Sequence, residues 1–103
     1  MESLVLAHFD TVWPVGTLQA MPFRIEEGLA RGPGVYDMKA SLVLVEYALK
    51  AISSLGKRPP RPVTILLTSD EEIGSPTSRR LIEEHGRASA HALVLEPALP
   101  EAA

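Results

Sequence analysis

A chain of 103 residues, 46% of them apolar, has the size of one small domain or a piece of a larger one, with material for a modest core and little room beyond it. Its formal charge of −3 and scattered basic residues, apart from Lys57, Arg58 and Arg61, exclude a nucleic-acid surface, and no run approaches the roughly 20 apolar residues of a membrane span. It has no cysteine for disulfides or thiolate metal sites, and Met1-Glu2-Ser3 lacks the basic start of a secretory signal, so a soluble, cytoplasmic chain is expected.

Residues 3–9, SLVLAHF, read as a buried strand, and residues 22–32, PFRIEEGLARG, as a small hairpin turning at Glu27-Gly28. Trp13 and Phe23 are expected to pack beneath the loop and hairpin. A long helix follows over residues 38–55, where Leu42, Val45, Leu49 and Ile52 recur at helical spacing while Glu46, Lys50, Ser53 and Ser54 fall on the other side. Glu46 and Lys50 form an i,i+4 pair. Gly56 stops this helix, and Pro59, Pro60 and Pro62 stiffen the connection to a strand over residues 63–68. Ser75 reads as an N-cap with Pro76 at the first helical position, opening a shorter helix that closes before Gly86. His85 there suits the helix dipole, and His91 precedes a third strand over residues 92–95. The closing PALPEAA reads as a frayed tail.

Three apolar strands separated by two helices predict an α/β fold with a mostly parallel sheet flanked by helices. Ligand sites in such sheets lie outside the carboxyl ends of the strands. His8 and Asp10 stand at the end of the first strand, Asp70, Glu71 and Glu72 at the end of the second, and Glu96 at the end of the third, with Asp37 just before the long helix. Carboxylates gathered in this way repel one another unless something positive sits among them. One imidazole with several carboxylates and no thiol suits a divalent cation such as zinc or manganese. The net acidity of the chain resides in this cluster.

Spacing then suggests roles. Residues two apart on a strand share a direction, so Asp10 can hold the second ring nitrogen of His8. Glu71 and Glu72 are adjacent and cannot aim alike in an extended chain, so a bend would let one bind metal while the other takes a proton from water. Taken singly, each residue has a plainer account: Asp37 as an N-cap, His8 as a satisfied core histidine, the acidic triplet as a solvated loop, Glu96 as a strand-end acid. It is their shared rim that favours a site.

Four segments, LAHFDTVWPVG, GPGVYDMKA, TSDEEIGSPTSR and LVLEPA, resemble in order and spacing the metal-site segments of the co-catalytic zinc metallopeptidases. That family includes glutamate carboxypeptidase, acetylornithine deacetylase and succinyl-diaminopimelate desuccinylase, and the phrasing here is closest to the glutamate carboxypeptidase branch. The resemblance spans residues 3–97. It implies two zinc ions, or manganese or cobalt in their place, bridged by Asp37, with His8 and Glu96 on one ion and Glu72 on the other. It further implies that Asp10 orients His8, that Asp37-Met38 is a cis peptide, and that Glu71 is the general base for water attacking an amide carbonyl. Substrates would be small peptides or N-acyl amino acids. Asp70 matches the motif without acquiring a role from it.

The same resemblance implies that residues 1–103 are an internal section of a zinc-peptidase catalytic domain. The family's preceding segment, its downstream zinc-binding histidine and its lid and dimerisation domain, through which the whole protein would form a homodimer, have no counterpart here. Two functions follow as expectations: a metal-dependent hydrolase of amide or peptide bonds, or a truncated, inactive fragment that at most binds zinc.

Overall fold

A computed structural model describes residues 1–99. Its sheet is built on β1 (Glu2–His8), flanked by β4 (Val63–Thr68) and β5 (Ser89–Val94) in the order β4-β1-β5. Both pairings are parallel, as a chain that returns through a helix between strands requires. Between them come α1 (Thr17–Ala20), the antiparallel hairpin of β2 (Arg24–Glu26) and β3 (Leu29–Arg31), α2 (Ala40–Ser54) and α3 (Arg79–Ala88). The α/β fold and parallel sheet are those expected.

The central strand carries the core. Leu4, Val5 and Ala7 of β1 are buried together with Met38 and His8, the continuous burial of a strand covered on both faces. Leu4, 1% exposed, has little room to be replaced. Leu4→Ala should cost about 2–5 kcal/mol in urea unfolding through lost burial and the cavity left behind; a loss under about 1 kcal/mol would show that the site collapses freely.

The register aligns the rim. His8 pairs with Thr68 and Leu6 with Val94, so two residues further along Glu96 comes level with His8 and Asp70 with Asp10. Gly34 closes the approach from the other side. It has a φ of +70°, and a Cβ there would stand 2.4 Å from Thr11 Cγ2, so glycine is what lets the strand-end loop meet the segment bearing Asp37.

Several expected boundaries shift. The long helix begins at Ala40, not Met38, because Asp37 (φ −115°, ψ 99°) and Met38 (φ −129°, ψ 32°) have non-helical dihedrals within a wide turn over Val35–Lys39. A cis peptide joins Asp37 and Met38. Leu42, Val45 and Ile52 are half-buried, and the Glu46–Lys50 pair forms at 2.5 Å. Ser75 is no N-cap: it has a φ of +57°, a turn follows it, and α3 starts at Arg79. Gly86 does not stop this helix. The helix runs on to Ala88 and passes straight into β5 at Ser89, whose hydroxyl donates to the His85 carbonyl at 2.7 Å. His91 therefore lies within a strand, 2.9 Å from Ser3 Oγ, and His85 is 3.2 Å from Glu2 Oε1. Trp13 and Phe23 are not packing residues but stand 45% and 59% exposed.

Apolar side chains also remain open on both edge strands, at Ile65, Leu67, Leu93 and Val94, and on α2 at Val43, Leu44 and Tyr47. No helix among the described residues is long and apolar enough to cross a membrane. Of the expected tail, residues 100–103 lie outside the described residues.

Candidate metal centre

His8 is the last residue of β1 and its side chain is 1% exposed. Its Nδ1 lies 3.0 Å from the Asp10 carbonyl oxygen and 3.3 Å from Asp10 Oδ1. A proton on Nδ1 donated to that carbonyl leaves the lone pair on Nε2. Nε2 faces Asp37 Oδ1 at 3.3 Å, Glu71 Oε2 at 3.5 Å and Glu96 Oε1 at 3.2 Å. A buried lone pair aimed at carboxylate oxygens is stable only with a cation between them, a proton or a metal.

The electrostatics bear this strain. Burial acts to lower the pKa of His8, yet the Asp10 carbonyl and the negative charges of Glu96, Glu71 and Asp10 outweigh it and the pKa rises. Glu72 is pushed up by burial first and then by Asp37 and Glu71. Glu96 is also raised by burial; the nearby His8 opposes that, while Asp37 and Glu71 add to it. Carboxyl pKa values raised by burial and by neighbouring charge, with His8 Nε2, Asp10 Oδ1, Asp37 Oδ1 and Glu72 Oε1 buried and without hydrogen-bond partners, suit a rim that could take a charge-balancing ion.

The donor set fits one. Two triplets, His8 with Glu71 and Glu96 and His8 with Asp37 and Glu72, can each bring one ligand atom apiece within 4.8 Å of the others. One nitrogen and two oxygens in each triplet could hold a divalent cation. All six residues singled out from sequence, His8, Asp10, Asp37, Glu71, Glu72 and Glu96, meet at this rim. His8 belongs to both triplets, and Asp37 to one of them.

Each is held by the chain around it. Met38 is fully buried, and the His8 backbone N–H donates to its Sδ at 3.3 Å. Asp37 does not cap α2, whose start has no side-chain cap, and so remains free for the rim. Ser41 Oγ donates to the Leu95 carbonyl at 2.6 Å and the Tyr36 hydroxyl donates to that of Ala98, tying the segments on either side of Asp37 and Glu96 together. Glu71 and Glu72 open a 3-10 turn over Glu71–Ile73, which supplies the bend that separates their directions. The Glu72 N–H donates to Asp10 Oδ2 at 2.9 Å, so Asp10 holds both His8 and this turn.

Asp70, left without a role by sequence, proves the most heavily bonded acid. Its Oδ2 accepts from Thr77 N, Thr77 Oγ1 and Ser78 N at 2.8, 2.6 and 3.0 Å, and Oδ1 accepts from Ser78 Oγ at 2.5 Å. The hydroxyls of Ser78 and Thr77 chiefly hold its pKa well below the usual carboxylate range. Neither this clasp nor the Ser41 bond follows a local capping spacing, so only the fold exposes them.

A cavity of about 650 Å³ lies away from these groups against Phe23, Val35, Val43, Leu44 and Tyr47, and among the described residues Lys39 is the one charged side chain that lines it. A smaller cleft of about 210 Å³ reaches the rim at His8, Glu71 and Glu96 over Leu6, Ile82 and Val94. Reactive groups decide the site, and these belong to the smaller cleft.

The model of peptidase family M20/M25/M40 matches residues 4–103. Carboxypeptidase G2 of Pseudomonas sp. (strain RS-16) is 38% identical over 94 residues, covering 91% of this chain and 23% of the relative. Succinyl-diaminopimelate desuccinylase of Legionella pneumophila (strain Lens) is 34% identical over 105 residues, covering 91% of this chain and 28% of the relative. The chain thus spans about a quarter of the length of each relative.

Proposed function

This chain belongs to peptidase family M20/M25/M40, and from that premise we propose that it forms the metal-binding part of a hydrolase of amide or peptide bonds, of carboxypeptidase or deacylase type. The observation that carries the reading is the buried Nε2 of His8, without a hydrogen-bond partner and 3.2–3.5 Å from three carboxylate oxygens. Zinc is the proposed metal, as two ions: His8 and Glu96 with Asp37 would hold one, and Glu72 with Asp37 the other. Metal bound there supplies a lowered pKa for water and a polarised amide carbonyl.

The chain's own residues do the rest. Glu71 is the general base: its carboxylate, partly open to solvent and 3.5 Å from His8 Nε2, takes the proton of the attacking water and returns it to the leaving amine. Asp10 fixes the tautomer of His8 through Nδ1 and raises its basicity. Substrates are small peptides or N-acyl amino acids, in keeping with relatives named as a carboxypeptidase and a desuccinylase.

A second reading is favoured by one observation, the quarter of its relatives' length that this chain spans. With Asp37 and Glu72 alone, one zinc would have two protein ligands where catalytic zinc usually has three. On this reading the 103 residues bind metal and turn over nothing unaided. Elemental analysis after zinc supplementation and gel filtration tests the metal in both readings. At least one chelator-removable zinc per chain is expected, and a compact, zinc-free chain would overturn them. Amide hydrolysis by the zinc-loaded chain then separates the two.

A further inference from the structure

We infer that Asp70 is a positioning residue that aims Glu71 and Glu72 by clasping both ends of the loop that carries them; the inference rests on the metal-site reading above. Asp70 is 7% exposed, too enclosed to touch a substrate. Its backbone and side chain both close the loop. The Asp70 carbonyl accepts from Ser75 N at 2.8 Å, and the Glu71 carbonyl accepts from Gly74 N at 2.8 Å. Its carboxylate then takes four donors from Thr77 and Ser78, two of them backbone N–H groups just before α3.

The loop between these anchors has few freedoms left. Gly74 and Ser75 turn it with φ values of +91° and +57°; glycine takes such a conformation freely, but a serine holds it only where the surroundings demand it. The clasp supplies that demand, and it places negative charge where the N-terminus of α3 attracts it. Glu71 and Glu72 lie inside the clasped arc. The only other side-chain tie on their backbone among the described residues is Asp10 Oδ2 to Glu72 N. With the arc released, Asp10 alone would leave Glu71 and Glu72 able to swing away from His8.

The consequence separates into two measurements. Amide hydrogen exchange on the metal-free chain reads the loop, and Co²⁺ titration followed by its visible absorption reads the ligands. Asp70→Ala should speed exchange at Gly74 and Ser75 by about tenfold or more, the loss of bonds to a charged acceptor, while Val5 and Leu6 of β1 stay at their wild-type rates. Cobalt affinity should fall by about 10–100-fold with an altered absorption band, as for other residues that orient metal ligands. Asp70→Asn keeps an acceptor for the two backbone N–H groups but offers an N–H₂ to the Ser78 hydroxyl, so it should recover part of both losses. It also keeps the comparison open if the alanine variant does not fold.

Wild-type exchange in the loop of both variants would overturn the inference. So would faster exchange with unchanged cobalt affinity and spectrum, since the clasp would then hold the loop without aiming its acids. A uniform rise in exchange that includes Val5 and Leu6 would reduce Asp70 to general stability and overturn it too. If the wild-type chain takes up no cobalt, the metal-site reading fails instead, and exchange alone decides whether Asp70 fixes the loop.

Discussion

In the hydrolase proposed above, Glu71→Gln is expected to lower amide hydrolysis by roughly 10²–10⁴-fold while zinc content stays at the wild-type level. The substitution is nearly isosteric and keeps a carbonyl oxygen in place of Oε2, 3.5 Å from His8 Nε2, but an amide does not accept the proton of the attacking water. Removing a general base costs that range, about 3–5 kcal/mol of transition-state stabilisation. The loss should fall on kcat with KM little changed, because the interaction exists only as the proton moves. Glu71 can also join a ligand triplet with His8 and Glu96, which gives the test a second edge. Were Glu71 a metal ligand first and a base second, Glu71→Gln would lose zinc along with turnover. Zinc retained and rate lost supports the base; equal activity in variant and wild type sinks it.

The ability of Glu71 and Glu72 to play different parts was legible in sequence, because two adjacent acids directly after an apolar strand demand a bend. So were the strand over residues 63–68, reproduced to the residue, and the meeting of His8 and Glu96, which follows from parallel pairing. What escaped is non-local. Asp37 looked like a helix start because Met38 and Lys39 continue a helical pattern, yet Met38 turns inward beneath His8 and the helix waits until Ala40. Gly86 looked like a stop, but glycine inside a helix costs only about 1 kcal/mol, and Ser89 ends the helix by bonding its own hydroxyl to the His85 carbonyl. Ser75-Pro76 had the look of a cap while Asp70, seven and eight residues before Thr77 and Ser78 in the chain, took its place. Trp13 and Phe23 read as packing residues, and nothing in their local pattern says that the surfaces beside them stay open.

The acids that must ionise to hold metal are the same ones that repel in its absence, and this sets opposite signs for Asp37→Ala in the two states. In the metal-free chain Asp37 helps to raise the pKa of both Glu72 and Glu96. A carboxylate whose pKa is raised on folding opposes folding at pH values above its unfolded pKa, where the unfolded chain ionises it freely, and has no such effect below that pKa. Removing Asp37 relieves part of this opposition. At pH 7 without metal, Asp37→Ala should therefore melt at or above the wild-type temperature, and the gain should vanish below about pH 4, where unfolded Glu is protonated too. With zinc the order reverses. A ligand at 100 times its Kd stabilises the wild type by about 2.7 kcal/mol, some 10–20 °C for a domain of this size. The variant, having lost a carboxylate that would hold the proposed metal, should gain almost none of it. Thermal melts at pH 7 and pH 4, with zinc and with chelator, read all four states. An Asp37→Ala chain stabilised by zinc as strongly as the wild type would remove Asp37 from the ligand set. A metal-free variant that melts well below the wild type at pH 7 would mean that Asp37 holds the fold together rather than straining it, and the reading of this rim as a cluster that needs a cation would lose its electrostatic basis.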